Sequence, residues 1–82
     1  MIQELACTHN RVIGTKQTQR SVERGIAQAV FLAVDADERI INNLKTICNL
    51  NEVPVFMVHT MLELGKVCGI EVGAAAAAVL KK

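Results

Sequence analysis

The chain has no tryptophan, no tyrosine and only two phenylalanines. Large rings cannot organise its interior, so small aliphatic side chains must fill the core. It has one proline, Pro54, and no linker, repeat or low-complexity tail; the only biased segment is the alanine run at 74 to 78. No apolar run approaches the ~20 residues that a helix needs to cross a bilayer. Met1 to Thr8 carries neither a basic cluster nor a long apolar stretch, which argues against a secretory signal and sets the expectation of a cytoplasmic protein without a membrane partner. The three cysteines, Cys7, Cys48 and Cys68, are odd in number and form no Cys-x-x-Cys pair. A zinc site is therefore not expected, and each cysteine reads as a free thiol acting as a small buried hydrophobe. His9 and His59 have no acidic or nucleophilic partner at motif spacing, and no paired acid–base constellation occurs. An enzyme, a metal site and a cofactor are all unexpected.

What is present is a chain of 82 residues, 51% hydrophobic, read as one domain spanning 1–82. A domain this small buries only about 60% of its unfolded surface, so modest stability is expected. The net charge of +1 hides a local asymmetry. Arg11, Lys16, Arg20 and Arg24 face a single acid, Glu23, whereas Asp35, Asp37, Glu38 and Glu52 crowd the middle of the chain. A basic patch on a nearly neutral domain fits a compact nucleic-acid contact.

Apolar periodicity alternates between helical and extended. Ile2, Leu5 and Ala6 fit one side of a short opening helix, and Val12-Ile13 a brief strand ending at Gly14. Residues 15 to 24 read as a polar helix with Thr15 as N-cap and Gly25 as terminator. Ala29 to Val34 and Val53 to Val58 read as buried strands. Between them Asp37 caps the clearest amphipathic helix, with Ile40, Ile41, Leu44, Ile47 and Cys48 on one side. Thr60-Met61-Leu62-Glu63 is a capping-box signature for a further helix closed by Gly69. Ala74 to Leu80 is ambiguous, because alanine favours helix but a strand with tiny side chains fits equally. This order implies an α/β sandwich with a small, largely covered sheet.

At ~100° per residue, Lys16, Arg20 and Arg24 share a narrow sector of the polar helix, while Thr18, Val22 and Gly25 lie near the opposite side. The helix can dock by the second set and expose the first. Gly14 lets another backbone approach, and the free amides at a helix start suit anionic or lone-pair-rich partners. Lys16 can donate to the O6/N7 edge of guanine and Gln17 can pair with a purine edge. Regular A-form RNA hides those edges, so the target would be a distorted duplex. A solvated cationic face is the competing explanation of the same spacing. The Gly-x-x-x-x-Gly-Lys-Ser/Thr phosphate-loop pattern is absent.

Ile13-Gly14-Thr15-Lys16-Gln17-Thr18, Glu23-Arg24-Gly25 and the stretch from Leu64 to Ala75 together resemble the ribosomal protein L-seven-Ae / L-thirty-e superfamily, and more closely its short bacterial members that bind kink-turn RNA. The resemblance covers nearly the whole chain, with its two motifs about fifty residues apart. It implies a three-layer α-β-α sandwich around a small four-stranded mixed sheet, with Ala74 to Leu80 as a strand. It implies that Gly14 and Thr15 lie against the RNA backbone, Lys16 and Gln17 on tandem sheared G·A pairs, and Arg20 on a guanine or phosphate. Ile70, Glu71 and Val72 form a loop beside the unpaired nucleotides, and Asp37 matches a position that can meet a flipped-out base. Archaeal and eukaryotic members usually carry Asn, Glu and Lys where this chain has Lys16, Gln17 and Arg20. The expected partner is a kink-turn in ribosomal RNA or a structured messenger leader, on or off the ribosome, and not DNA. The rival expectation is a ribosome-associated protein-interaction module that keeps the fold without strong RNA binding.

Overall fold

Strands alternate with helices as those periodicities require. The computed structural model describes residues 2–82. It runs α1 (Ile2–Cys7), β1 (Arg11–Ile13), α2 (Thr15–Glu23), β2 (Ala27–Ala33), α3 (Glu38–Leu50), β3 (Val55–Val58), α4 (Met61–Val67) and β4 (Ala76–Leu80). Met1 and the side chain of Ile2 lie outside the described residues, so the expected apolar side of α1 is seen only at Leu5, which is buried, and Ala6, which is exposed.

The strands form one mixed sheet in the order β1-β4-β2-β3. β4 is antiparallel to β1 and to β2, and β2 is parallel to β3. Helices α2 and α3 pack together on one face, and α1 and α4 on the other. This is the α-β-α sandwich expected.

The centre of the sheet explains why the alanine run is extended. β4 lies between β1 and β2 with helices above and below, and Ala76, Ala77 and Ala78 are completely buried. Alanine is the best helix former. Here tertiary burial overrides propensity, because larger side chains would push the two helical layers off the sheet. β2 is buried except at Gln28, and the Phe31 and Phe56 rings stack at 5.6 Å between centroids.

β3 departs from expectation. Only Val55–Val58 is strand, and it lies at the sheet edge with Met57 44% exposed. An apolar run reports affinity for burial, not how many neighbours the strand acquires. Cys7 is also a correction. It is exposed at the end of α1, whereas Cys48 and Cys68 are buried as expected.

Three helices end alike. After α2, α3 and α4 a left-handed residue (Gly25 at φ 74°, Glu52 at φ 57°, Gly69 at φ 77°) turns the chain. The next amide then reaches back: Ile26 to the Ser21 carbonyl (3.0 Å), Val53 to Cys48 (2.9 Å) and Ile70 to Gly65 (3.0 Å). This double-bonded C-terminal motif satisfies the last carbonyls. Arg11 performs the same service elsewhere. Its Nη1 donates to the Leu5 carbonyl at 2.6 Å and its Nη2 to the Cys68 carbonyl at 2.7 Å, so one guanidinium holds the ends of α1 and α4 together.

Candidate nucleic-acid interface

Strand direction assembles the site. β1, β2 and β3 all finish at one edge of the sheet, and antiparallel β4 begins there. Hydrogen bonds tie the crossings together. Gly14 N–H donates to the Ala76 carbonyl (2.8 Å), Ala33 N–H to Ala75 (2.9 Å), Val34 N–H to Val58 (2.8 Å) and Ala74 N–H to Met61 (3.0 Å). The helical tip at Gly14 and the loop leading into Ala75 are thus neighbours, although fifty residues separate the two motifs.

The helices α2, α3 and α4 each follow a strand that ends at this edge, so all three start there. Their partial positive charge converges on one surface. Two of the starts are occupied. Asp37 Oδ1 accepts from Arg39 N–H at 2.8 Å, capping α3. Thr60 Oγ1 accepts from Glu63 N–H at 3.0 Å, and Asp35 Oδ1 accepts from Met61 N–H at 2.7 Å, capping α4. The start of α2 differs. Its N-cap is Gly14, at φ 109°, with no side-chain cap. Thr15, expected to cap, is instead the first helical residue. Thr18 N–H makes the first bond of the turn, to the Gly14 carbonyl at 2.9 Å, which leaves the amides of Thr15, Lys16 and Gln17 without intrahelical acceptors. A Cβ on residue 14 would meet nothing within 4 Å. The glycine answers to its backbone angle, not to crowding within the chain.

Lys16, Gln17 and Arg20 are exposed on α2, and Thr15 is half-buried. The docking side consists of Thr18, Ser21 and Val22; Gly25, expected with them, is exposed in the turn beyond. On the opposite flank Ile70 is half-buried against the core, and Glu71 and Val72 are exposed, with Val72 at 68%. Ile70 N–H bonds the Gly65 carbonyl, one turn back from the Met61 level that Ala74 reaches. The loop therefore climbs toward the edge from Ile70 to Ala74. Asp37 lies at the edge with its carboxylate engaged as a helix cap.

Sequence reasoning missed the convergence itself, along with Asp35 as a second cap for α4 and His59 as an exposed residue at the end of β3. Part of the signal was available: the helix linking the neighbouring parallel strands β2 and β3 puts the starts of α3 and α4 on one side, whereas α2 joins them only because β4 runs antiparallel to both β1 and β2.

Two grooves of about 470 and 490 Å³ lie elsewhere, one beside α1 and the end of β4, the other between α3 and β3. Among the described residues no group of three or more His, Cys, Asp or Glu is placed to hold a metal ion, and no helix is long and apolar enough to cross a membrane.

The fold is thus an α-β-α sandwich in which the start of the cationic helix α2 carries no side-chain cap. The chain belongs to the Ribosomal protein L7Ae/L30e/S12e/Gadd45 family, whose sequence profile matches residues 2–82. It is 50% identical over 70 residues to RNA-binding protein YbxF of Geobacillus stearothermophilus, covering 85% of each chain. It is 41% identical over 70 residues to an RNA-binding protein of Halalkalibacterium halodurans, again covering 85% of each. Among solved structures, the Giardia lamblia 15.5kD RNA binding protein superposes with a TM-score of 0.88 at 27% identity, over 99% of this chain and 68% of that one.

Proposed function

We propose that this protein is a non-enzymatic RNA-binding protein that recognises kink-turn RNA and stabilises its bent form. The observation that carries the reading is the start of α2. Of α2, α3 and α4 it is the one without a side-chain cap, and it presents Lys16 and Gln17 beside free amides at the edge where the Ile70–Val72 loop arrives. Family membership and the names of the relatives support an RNA partner.

In this reading Gly14 and Thr15 lie against the sugar–phosphate backbone, Lys16 and Gln17 donate to the purine edges of sheared G·A pairs, and Arg20 reaches a guanine or phosphate. Asp37 keeps its capping bond and lends the edge its shape near a flipped-out base. Ile70, Glu71 and Val72 stand beside the unpaired nucleotides, with the Glu71 carboxylate directed to solvent. The protein fits only the kinked conformer, so its differential affinity pulls the RNA into the bend. A kink-turn in ribosomal RNA or in a messenger leader, met in the cytoplasm, is the target this reading names.

A FRET titration with a standard kink-turn duplex tests it. Submicromolar protein should bend the duplex, and converting the G·A pairs to Watson–Crick pairs should abolish the effect. Equal binding to the straight duplex would reduce the interaction to charge attraction. Lys16→Ala or Arg20→Ala should each cost about 1–3 kcal/mol. Losses of a few tenths for both would favour a protein-interaction role on the same fold.

A further inference from the structure

We infer that Gly65 is a positioning residue for RNA recognition, acting from inside α4 by setting the loop that carries Val72; this rests on the kink-turn reading above. Gly65 is buried in the middle of a helix, where alanine is intrinsically preferred. The reason for glycine lies in its neighbour. A Cβ on residue 65 would stand 2.0 Å from the Val72 carbonyl oxygen and 3.1 Å from its carbon. The loop backbone therefore lies directly on the helix surface. Gly73 repeats the device one turn along, where a Cβ would meet the Met61 Cβ at 3.1 Å.

The rest of the segment is fastened accordingly. Arg11 Nη2 holds the Cys68 carbonyl at 2.7 Å, Ile70 N–H bonds the Gly65 carbonyl at 3.0 Å, and Ala74 N–H bonds the Met61 carbonyl at 3.0 Å. With its carbonyl turned to α4, Val72 directs its side chain outward, 68% exposed. An aliphatic side chain held out by a fastened backbone is preorganised, so a ligand that packs on it meets little ordering cost. Adding a methyl group at residue 65 forces the Val72 carbonyl away by about 1.4 Å to restore ordinary contact and re-aims that side chain, while α2 and its cations stay where they are. Gly65 itself touches no RNA.

A double-mutant cycle on kink-turn binding tests this, using the full chain, Gly65→Ala, Val72→Ala and the double variant, each with its melting curve. Each single variant should weaken kink-turn binding by roughly 5- to 20-fold. The double variant should be no more than about twofold weaker than the worse single one. The salt dependence of Gly65→Ala should match wild type, because the phosphate contacts of α2 are intact. Losses that multiply, or Gly65→Ala binding within twofold of wild type, would overturn the inference while leaving the kink-turn reading in place. A wild-type protein with no preference for the kinked duplex would remove that reading instead, and this inference with it. If Gly65→Ala does not fold, Gly73→Ala carries the same cycle with a milder clash.

Discussion

Replacing Arg11 with methionine should destabilise the protein more than any other single charge removal. The side chain is half-buried and makes two short charge-assisted bonds, 2.6 Å to the Leu5 carbonyl and 2.7 Å to the Cys68 carbonyl. Bonds to a charged donor contribute roughly 1.5–3 kcal/mol each. Both acceptors are carbonyls at helix ends, where water can replace part of what is lost, so a net cost of about 2–3 kcal/mol is expected. For a domain of this size that lowers Tm by roughly 10–20 °C. Methionine keeps the apolar stem, so the loss isolates the guanidinium. Arg11→Lys retains the charge but cannot fork between two acceptors, and should recover less than half of the difference. Urea unfolding followed by circular dichroism measures both variants. A loss below about 0.5 kcal/mol for Arg11→Met would mean that the bridge between α1 and α4 is solvent-exchangeable and structurally idle.

Other substitutions probe the same framework. Glu52 holds a left-handed backbone angle (φ 57°) in the position that Gly25 and Gly69 occupy after the other two helices, so Glu52→Gly should stabilise by roughly 0.5–1 kcal/mol in denaturant titration. Thr18 is completely buried and its Oγ1 has no hydrogen-bond partner among the described residues, so Thr18→Val should raise stability by about 1 kcal/mol; a comparable loss would reveal a partner for the hydroxyl. Burial pushes the Cys48 thiol up, and also that of Cys68, where the Arg11 guanidinium partly offsets the rise. The folded state then keeps protons that the unfolded chain releases above about pH 8.5, so this contribution is intact below that pH and lost as pH climbs through the raised values. Cys48→Ala should flatten the alkaline decline in urea midpoint.

Much of this architecture could be read from residue pattern because local and global preferences agree. The Ala29 to Ala33 part of the second strand, the stripe from Ile40 to Cys48, the Asp37 and Thr60 caps and the Gly25 and Gly69 stops each have a local physical cause; Val34, expected to finish that buried strand, instead lies in the turn beyond it and is 54% exposed. Where pattern failed, the cause was topological. Val53 to Val58 looks like a strand covered on both sides, but its place at the edge follows from which strands it neighbours. The alanine run was undecidable locally, since only its position between β1 and β2 explains why small size outweighs helix propensity. Glu52 carries no signature for a left-handed turn, and Cys7 none for exposure. The cationic residues of α2 were legible as an outward face. That their helix tip reaches the same end of the sheet as the loop leading into Ala75 depends on β4 running antiparallel to β1, and periodicity does not encode strand direction.

We propose that one edge of the sheet, with the Gly14–Gln17 tip and the Val72 loop, receives a kinked RNA. Amide chemical-shift mapping with a kink-turn duplex addresses it directly. On this reading Lys16, Gln17, Val72 and Gly73 shift to saturation, while Cys7, Gln28 and Lys82 at the far end stay unmoved. Shifts confined to α2, or spread evenly over the exposed lysines and arginines, would contradict it.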